Sequence, residues 1–185
     1  MLLKKQILFT ILIFLNLKLF AVIQTFNSDS IKAEETYTEA LNQYGRGNIF
    51  KSIELLNESL FYNIKLHGNK NEKAGRIYNA LGIIYKNIGD LDKSIQYYSL
   101  AEQSFLSNPN NYKNAISSIY NNIGNVYKAQ LNYNTALEYY QRAINILKQQ
   151  DKIDQQGLAD IYYSIAITEF ALNNYNKTLL ITNNH

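Results

Sequence analysis

The chain has 185 residues, of which 46 % are hydrophobic, and this length and composition suit one folded domain with a sizeable core. It contains no cysteine, so disulfides, thiolate nucleophiles and cysteine metal sites are excluded. The formal net charge of +3 comes from three lysines near the start, Lys4, Lys5 and Lys18. The remaining chain has equal numbers of acidic and basic residues, which leaves no basic excess for nucleic-acid binding.

Residues 1–21 have the pattern of a secretion leader. A short basic start precedes the apolar run at residues 7–15, and Ala21 offers a small residue for cleavage. A spanning helix needs about 20 apolar residues, and Lys18 inside one would cost a few kcal/mol. A cleaved signal peptide is therefore favoured over an uncleaved anchor or a buried helix. The chain is expected to be secreted or periplasmic, or anchored with its repeats outside the cytoplasm.

Residues 22–30 are predicted to form a polar spacer, in which Ser28 or Ser30 caps the first helix. That helix is expected from residue 31 to residue 44. A glycine-rich turn at residues 45–48 and a second helix at residues 50–66 follow. Together these segments predict a first helical hairpin.

Residues 77–86 reappear, 42 residues later, as residues 119–128. Each stretch is followed by a turn and then by a second pair of similar segments, residues 94–101 and residues 136–143. A fixed period of this size indicates an array of similar structural units. The recurring positions in the first helices are Tyr78, Leu81, Gly82 and Tyr85, then Tyr120, Ile123, Gly124 and Tyr127; in the second helices they are Ser94, Tyr98 and Ala101, then Ala136, Tyr140 and Ala143.

This pattern resembles the tetratricopeptide repeat, in which small residues lie where two helices approach closely and aromatic residues fill the space beside them. The period exceeds the usual length of about 34 residues and is similar to that of the kinesin light chain-like branch. The resemblance implies an all-α, right-handed solenoid of antiparallel helical hairpins at residues 31–185. Its repeats are expected at about residues 31–68, 72–110 and 112–152, with an incomplete fourth at 155–185.

The fourth unit is expected to have a first helix at residues 158–172 and a turn at Asn173 and Asn174. Its second helix would then be cut short at His185. Residues 178–181 are apolar, and no helix follows to cover them. Either this stretch packs on something absent or the chain is a fragment of a longer protein.

No set of residues predicts catalysis. His67 stands in a predicted linker and His185 is the last residue, and neither has an acid or nucleophile at a telling spacing. The paired aspartates at predicted helix ends have the positions of caps rather than of metal ligands. The chain is therefore expected to be no enzyme and to bind neither metal nor cofactor.

The resemblance implies a concave groove lined by the first helix of each repeat, with a protein or peptide as the partner and no nucleic acid. An amide side chain both donates to and accepts from a peptide backbone, so Asn79 and Asn121, at equivalent positions, would hold an extended chain. Lys86 and Lys128 would attract an acidic side chain or a terminal carboxylate. The groove residues predicted in this way are Arg76, Asn79, Ile83, Lys86, Asn121, Asn125, Lys128 and Tyr163.

The function expected from these features is a non-catalytic scaffold for protein–protein or peptide binding outside the cytoplasm. A contact with a membrane is expected only through an uncleaved N-terminal segment. The alternative is that the repeats are the sensing half of a longer bacterial membrane regulator. Such a protein would continue into a transmembrane helix and a kinase or DNA-binding output domain.

Overall fold

A computed structural model describes residues 2–182, and all regular structure over these residues is helical. The chain forms two compact units that divide after Gly68. Among the described residues, no helix combines the length and the hydrophobicity needed to cross a membrane. The helices are α1 (Leu2–Gly45) and α2 (Ile49–His67) in the first unit, and α3 (Glu72–Asn87), α4 (Leu91–Phe105), α5 (Lys113–Ala129), α6 (Tyr133–Leu147) and α7 (Gln155–Thr182) in the second, with a 3-10 turn at Pro109–Asn111.

Helix α1 is continuous, so the prediction that residues 22–30 form a spacer before a capped helix is wrong. Residues 2–44 contain neither glycine nor proline, and the polar residues at 27–30 cost a helix only a few tenths of a kcal/mol each. Hydroxyls also bond back to their own helix, as Thr25 does to the carbonyl of Ala21 at 3.0 Å. Ser28 and Ser30 lie inside the helix and cap nothing.

The predicted spacer takes part in packing within the first unit. The Lys65 ammonium contacts the Asp29 carboxylate at 2.6 Å. The ring of His67, the last residue of α2, meets Phe26 edge to face at a centroid distance of 6.0 Å. His67 therefore belongs to a helix rather than to a linker, whereas His185 lies outside the described residues.

Two hairpins of the second unit, α3–α4 and α5–α6, are held together by a tyrosine seated against a glycine. Tyr98 and Tyr140 are both fully buried. A Cβ atom added at Gly82 would lie 2.6 Å from the ring of Tyr98, and one added at Gly124 would lie 2.5 Å from the ring of Tyr140. The prediction that these small residues mark a close helix approach is confirmed.

The turns inside the hairpins share one geometry. Gly47, Gly89 and Leu131 stand 42 residues apart, and each has a positive φ, of 82°, 87° and 61° respectively. The residue after the turn then starts the second helix: the Asp90 carboxylate accepts from the backbone N–H of residue 93, and Asn132 accepts from that of residue 135. The period of the sequence is thus a period of backbone conformation.

Helix α7 packs on the α5–α6 hairpin, where Ile161 joins a core that includes Tyr140 and Ala143. It runs on through Asn173 and Asn174, so the turn predicted there is absent from the structure. Asparagine lowers helix stability by only about 0.5–0.7 kcal/mol relative to alanine, and no glycine or proline stands at this point to end the helix.

Candidate binding groove

The predicted groove residues of α3 and α5 lie on neighbouring helices. The Asn122 side-chain amide donates to the Asn79 carbonyl oxygen across these helices at 3.4 Å. About two turns further along α3 and α5, the Lys86 ammonium is close enough to Lys128 to act on it electrostatically. Residues from two consecutive repeats thus form one surface.

Lys86 and Lys128 bring two like charges close together on this surface. The pKa of the Lys128 ammonium lies below its ordinary value, chiefly because burial disfavours the charge and secondly because Lys86 repels it. Both side chains are half-buried. An anion placed between them would relieve the repulsion and replace lost hydration, so this end of the groove favours negative charge.

Asn121 lies further along the same surface, at a small polar cavity between α5 and the start of α7. The cavity has a volume of about 60 Å³. The Asn121 carbonyl oxygen is buried there and accepts no hydrogen bond from the described residues. The lining residues are Asn114, Ser117, Ser118, Asn121, Leu147, Asp154, Gly157, Asp160 and Ile161. An unused acceptor inside a polar cavity of this size suits a water molecule.

Two other predicted groove residues are engaged in contacts of their own. The Tyr140 hydroxyl donates to the Asn125 carbonyl oxygen at 2.9 Å, so Asn125 supports the core and keeps only its N–H groups for a ligand. The Arg76 guanidinium pairs with Glu72 on the same helix face. Its charge is therefore partly neutralised before any partner arrives.

The remaining predicted residues make the surface more apolar. Ile83 is half-buried on α3. On α7, Tyr163 is 70 % exposed and Phe170 is 69 % exposed. The surface therefore changes from amide and ammonium groups on α3 and α5 to aromatic rings on α7.

Asn122 and Asp154 were not among the predicted site residues. Asn122 follows a predicted groove position by one residue, which on a helix is a rotation of about 100°. That rotation turns its side chain from the groove toward α3, where it meets Asn79. Asp154 precedes α7 and accepts from the backbone N–H of Gly157 at 3.0 Å, which is the geometry of a helix cap.

The fold and this surface define an all-α solenoid of helical hairpins. Two tetratricopeptide repeat family models match the chain, one at residues 75–104 and the other at residues 115–178. These stretches include most of α3, α4, α5 and α7 and the whole of α6, and together they cover about half of the chain. The chain is therefore a member of the tetratricopeptide repeat family, whose repeats generally mediate protein interactions without catalysis.

Among solved structures, the chain is similar to BtubC (BKLC) from P. vanneervenii, with a TM-score of 0.69 and 20 % sequence identity. The match covers 78 % of this chain and 58 % of that protein. At this identity the likeness shows the fold alone. No curated protein matches the chain.

Proposed function

We propose that the chain is a non-catalytic scaffold that holds an extended segment of a partner protein against α3, α5 and α7. The observation that carries this proposal is the meeting of two repeats at one surface. Asn79 and Asn122 are hydrogen-bonded across the helices, and Lys86 lies close enough to Lys128 to lower the pKa of its ammonium. A surface built from equivalent positions of successive repeats suits a ligand whose own groups repeat, and an extended peptide is such a ligand.

The spacing of the helices agrees with a peptide backbone. Packed helices lie about 8–10 Å apart, and an extended chain advances about 3.3 Å per residue. Neighbouring first helices therefore meet backbone groups about three residues apart. The half-buried side-chain amides of Asn79 and Asn121 would contact such groups without reading the ligand's side chains.

The charges and rings of the groove define the ligand further. A carboxylate is expected next to Lys86 and Lys128, two half-buried lysines that repel each other. Apolar side chains are expected next to Tyr163 and Phe170 on α7. The proposed ligand is thus an extended segment with an acidic group at one part and apolar residues at another.

A displayed library of random linear peptides, selected on the purified full chain, tests the proposal. Selected peptides should contain acidic and apolar residues. The double variant Asn79→Ala with Asn121→Ala should weaken their binding about fivefold or more, since each lost hydrogen bond contributes roughly 0.5–1.5 kcal/mol. The variant Lys86→Ala with Lys128→Ala should weaken binding and reduce its dependence on salt concentration.

The matched control is Gln103→Ala, an exposed residue of α4 that is not among the predicted groove residues. It should leave both binding and the urea midpoint unchanged. Peptides that bind all variants equally well, with folding intact by circular dichroism, would contradict the assignment of the groove.

We further propose that the protein acts outside the cytoplasm. The support is the basic start and apolar run of residues 1–15, followed by Ala21. The mass of the protein captured from its own cells tests this. A mass of about 19 kDa corresponds to cleavage near Ala21, and 21.4 kDa corresponds to an intact chain. A much larger mass would favour the sensing half of a membrane regulator.

A further inference from the structure

The small cavity between α5 and the start of α7 is lined mainly by side chains that carry oxygen. Two carboxylates, two amides and two hydroxyls form most of its wall, those of Asp154, Asp160, Asn114, Asn121, Ser117 and Ser118. Its described lining contains no histidine, and the full chain has no cysteine. The hard cations Ca²⁺ and Mg²⁺ bind oxygen ligands, chiefly carboxylates and amide carbonyls. The cavity therefore has the donor set of a site for a hard cation.

Two oxygens in the cavity wall are buried and can still accept. The side-chain carbonyl oxygen of Asn121 is buried and accepts no hydrogen bond from the described residues. Ser117 is 1 % exposed, and its hydroxyl donates to the backbone carbonyl of Ala143 at 2.9 Å. Because that hydrogen is already donated, the Ser117 oxygen offers only lone pairs to any other neighbour. Both atoms thus suit a positively charged or hydrogen-donating occupant.

Each carboxylate in the wall is held through one of its two oxygens. Asp154 Oδ1 accepts from the backbone N–H of Gly157 at 3.0 Å, and Asp160 Oδ1 accepts from the side-chain amide of Gln156 at 2.9 Å. Gly157 leaves room for the Asp154 carboxylate, because a Cβ added there would lie 2.9 Å from Oδ2. Asp154 therefore caps α7 with one oxygen and keeps the other for a ligand.

The charge of these two carboxylates is not balanced by the protein. Neither forms an ion pair with a lysine or an arginine within the described part of the chain. Lys113 precedes the lining residue Asn114, but its ammonium donates to the backbone carbonyl of Gln149 at 2.8 Å. By contrast, Glu72 and Asp90 each pair with a basic side chain. A water molecule would satisfy the Asn121 oxygen, but only a cation would also balance two negative charges.

We propose that this cavity binds a divalent cation, Ca²⁺ in the first place. Its ligands are the carboxylates of Asp154 and Asp160 and the carbonyl oxygen of Asn121, with water completing the coordination. Ca²⁺ accepts an irregular set of oxygen ligands, which suits donors from two helices and the loop before α7. The volume of about 60 Å³ has room for bridging water, since one water molecule needs about 10–15 Å³. The ion would tie the start of α7 to α5.

Tb³⁺, which binds to oxygen ligands as Ca²⁺ does and emits light when a nearby tyrosine is excited, is the first probe. The chain has 16 tyrosines and no tryptophan, and Tyr120 directly precedes Asn121. Titration of the purified full chain should give saturable Tb³⁺ emission that Ca²⁺ displaces. Asp154→Asn with Asp160→Asn should weaken Tb³⁺ binding about tenfold or more, because Ca²⁺-type affinity follows the number of ligand charges. Asparagine keeps the shape of each side chain and the capping oxygen of residue 154.

The matched control is Asp92→Asn with Asp151→Asn, which removes the same charge from two exposed residues outside the cavity wall. It should leave Tb³⁺ binding unchanged. Asn121→Ala removes an uncharged ligand and should also weaken Tb³⁺ binding, with the net charge unaltered. Because no peptide is used, the result does not depend on the proposed peptide groove.

Stability gives the second measurement, since a ligand that binds only the folded chain stabilises it. Millimolar CaCl₂ should raise the urea midpoint of the parent and of the control above that in NaCl of equal ionic strength. The midpoint of Asp154→Asn with Asp160→Asn should not respond to Ca²⁺. Equal Tb³⁺ binding by the test and control variants would overturn the proposal, because the ion then lies elsewhere on the surface. Absence of Tb³⁺ emission together with an unchanged midpoint would also overturn it, and the cavity would then hold water alone.

Discussion

The hairpins α3–α4 and α5–α6 share one contact and differ around it. In both, a buried tyrosine fills the space left by a glycine. In α3–α4, Gly89 forms the turn, and the buried Ser94 hydroxyl donates to the Gly82 carbonyl at 2.8 Å. In α5–α6, Leu131 takes the positive φ and Ala136 replaces the serine. The constant contact therefore sets how closely the helices approach, and the turn and the hydrogen bond adjust stability.

Gly124→Ala should have the largest effect on stability, because it disrupts the contact between glycine and tyrosine that both hairpins share. The new Cβ would lie 2.5 Å from the fully buried ring of Tyr140, so the ring or a helix must move. Overpacking of this kind costs about 1–3 kcal/mol, which should exceed the gain of up to about 1 kcal/mol from alanine's helix propensity. Urea unfolding followed by circular dichroism should show a lower midpoint.

Two further variants make this test specific. Gly45→Ala adds a Cβ with no atom within 4 Å, so it should leave the midpoint unchanged or raise it. Adding Tyr140→Leu to Gly124→Ala copies the Ala40 and Leu56 combination of the first hairpin. The two changes together should cost less than the sum of the single changes. Simple additivity would show that the ring contact does not limit the helix approach.

The turns provide a reciprocal pair of predictions. Leu131 is 64 % exposed and has a φ of 61°, a conformation that costs a residue with a Cβ about 1–2 kcal/mol. Leu131→Gly should therefore raise stability by up to about 1 kcal/mol, after the entropy cost of glycine in the unfolded chain. Gly89→Leu should lower stability by about 1–2 kcal/mol. Equal effects with the same sign at both sites would contradict the shared turn geometry.

The sequence predicted the hairpins of the second unit closely, because glycine, proline and N-capping residues mark where their helices begin and end. Helix α3 begins at Glu72, where the repeat predicted at about residues 72–110 also begins. At residues 22–30 and at Asn173–Asn174, polar residues resemble turns but cost a helix little. The local sequence pattern does not decide between a turn and a helix at these two places. The packing of the helix against its neighbours decides it.

The sequence predicted which helix faces carry the candidate site, but not which side chains hydrogen-bond to each other there. The 42-residue period placed Asn79 and Lys86 on one helix and Lys128 on the next, and the structure brings the last two together. It did not show that Asn125 accepts from the Tyr140 hydroxyl, or that Asn122 reaches Asn79. Both contacts depend on the rotation of one helix against another, which the sequence period leaves open.

The buried serine gives a smaller effect than the turn. Ser94→Ala removes the hydrogen bond to Gly82 and copies the alanine of the α5–α6 hairpin. It should cost about 0.5–1.5 kcal/mol. Ser99→Ala is the control on the same helix, because its hydroxyl bonds only back to the carbonyl of Ile95 and it should change stability by less than about 0.5 kcal/mol. Equal losses would show that the hydrogen bond between helices adds nothing.

The last prediction concerns pH and a difference between α3 and α5, the first helices of the two hairpins. Tyr78 is almost buried, and burial alone raises the pKa of its phenol. The pKa of Tyr120 is raised to about 12, first by burial and then by the hydrogen bond from its hydroxyl to the Glu102 carboxylate at 2.6 Å. An unfolded tyrosine ionises near pH 10. The stability linked to Tyr120 is therefore fully present below about pH 10 and is lost as the pH rises toward 12.

Tyr120→Phe should remove this part of the alkaline loss while lowering stability at pH 8 by about 0.5–1.5 kcal/mol, through the missing hydrogen bond. Urea midpoints at pH 8 and pH 11 measure both changes. Tyr163→Phe, at a residue 70 % exposed, should match the parent at both values. If Tyr120→Phe instead lowers the urea midpoint equally at pH 8 and pH 11, ionisation of Tyr120 does not contribute to the alkaline loss of stability. The hydrogen bond to Glu102 would then stabilise the fold independently of pH, as the Ser94 hydrogen bond does in α3–α4.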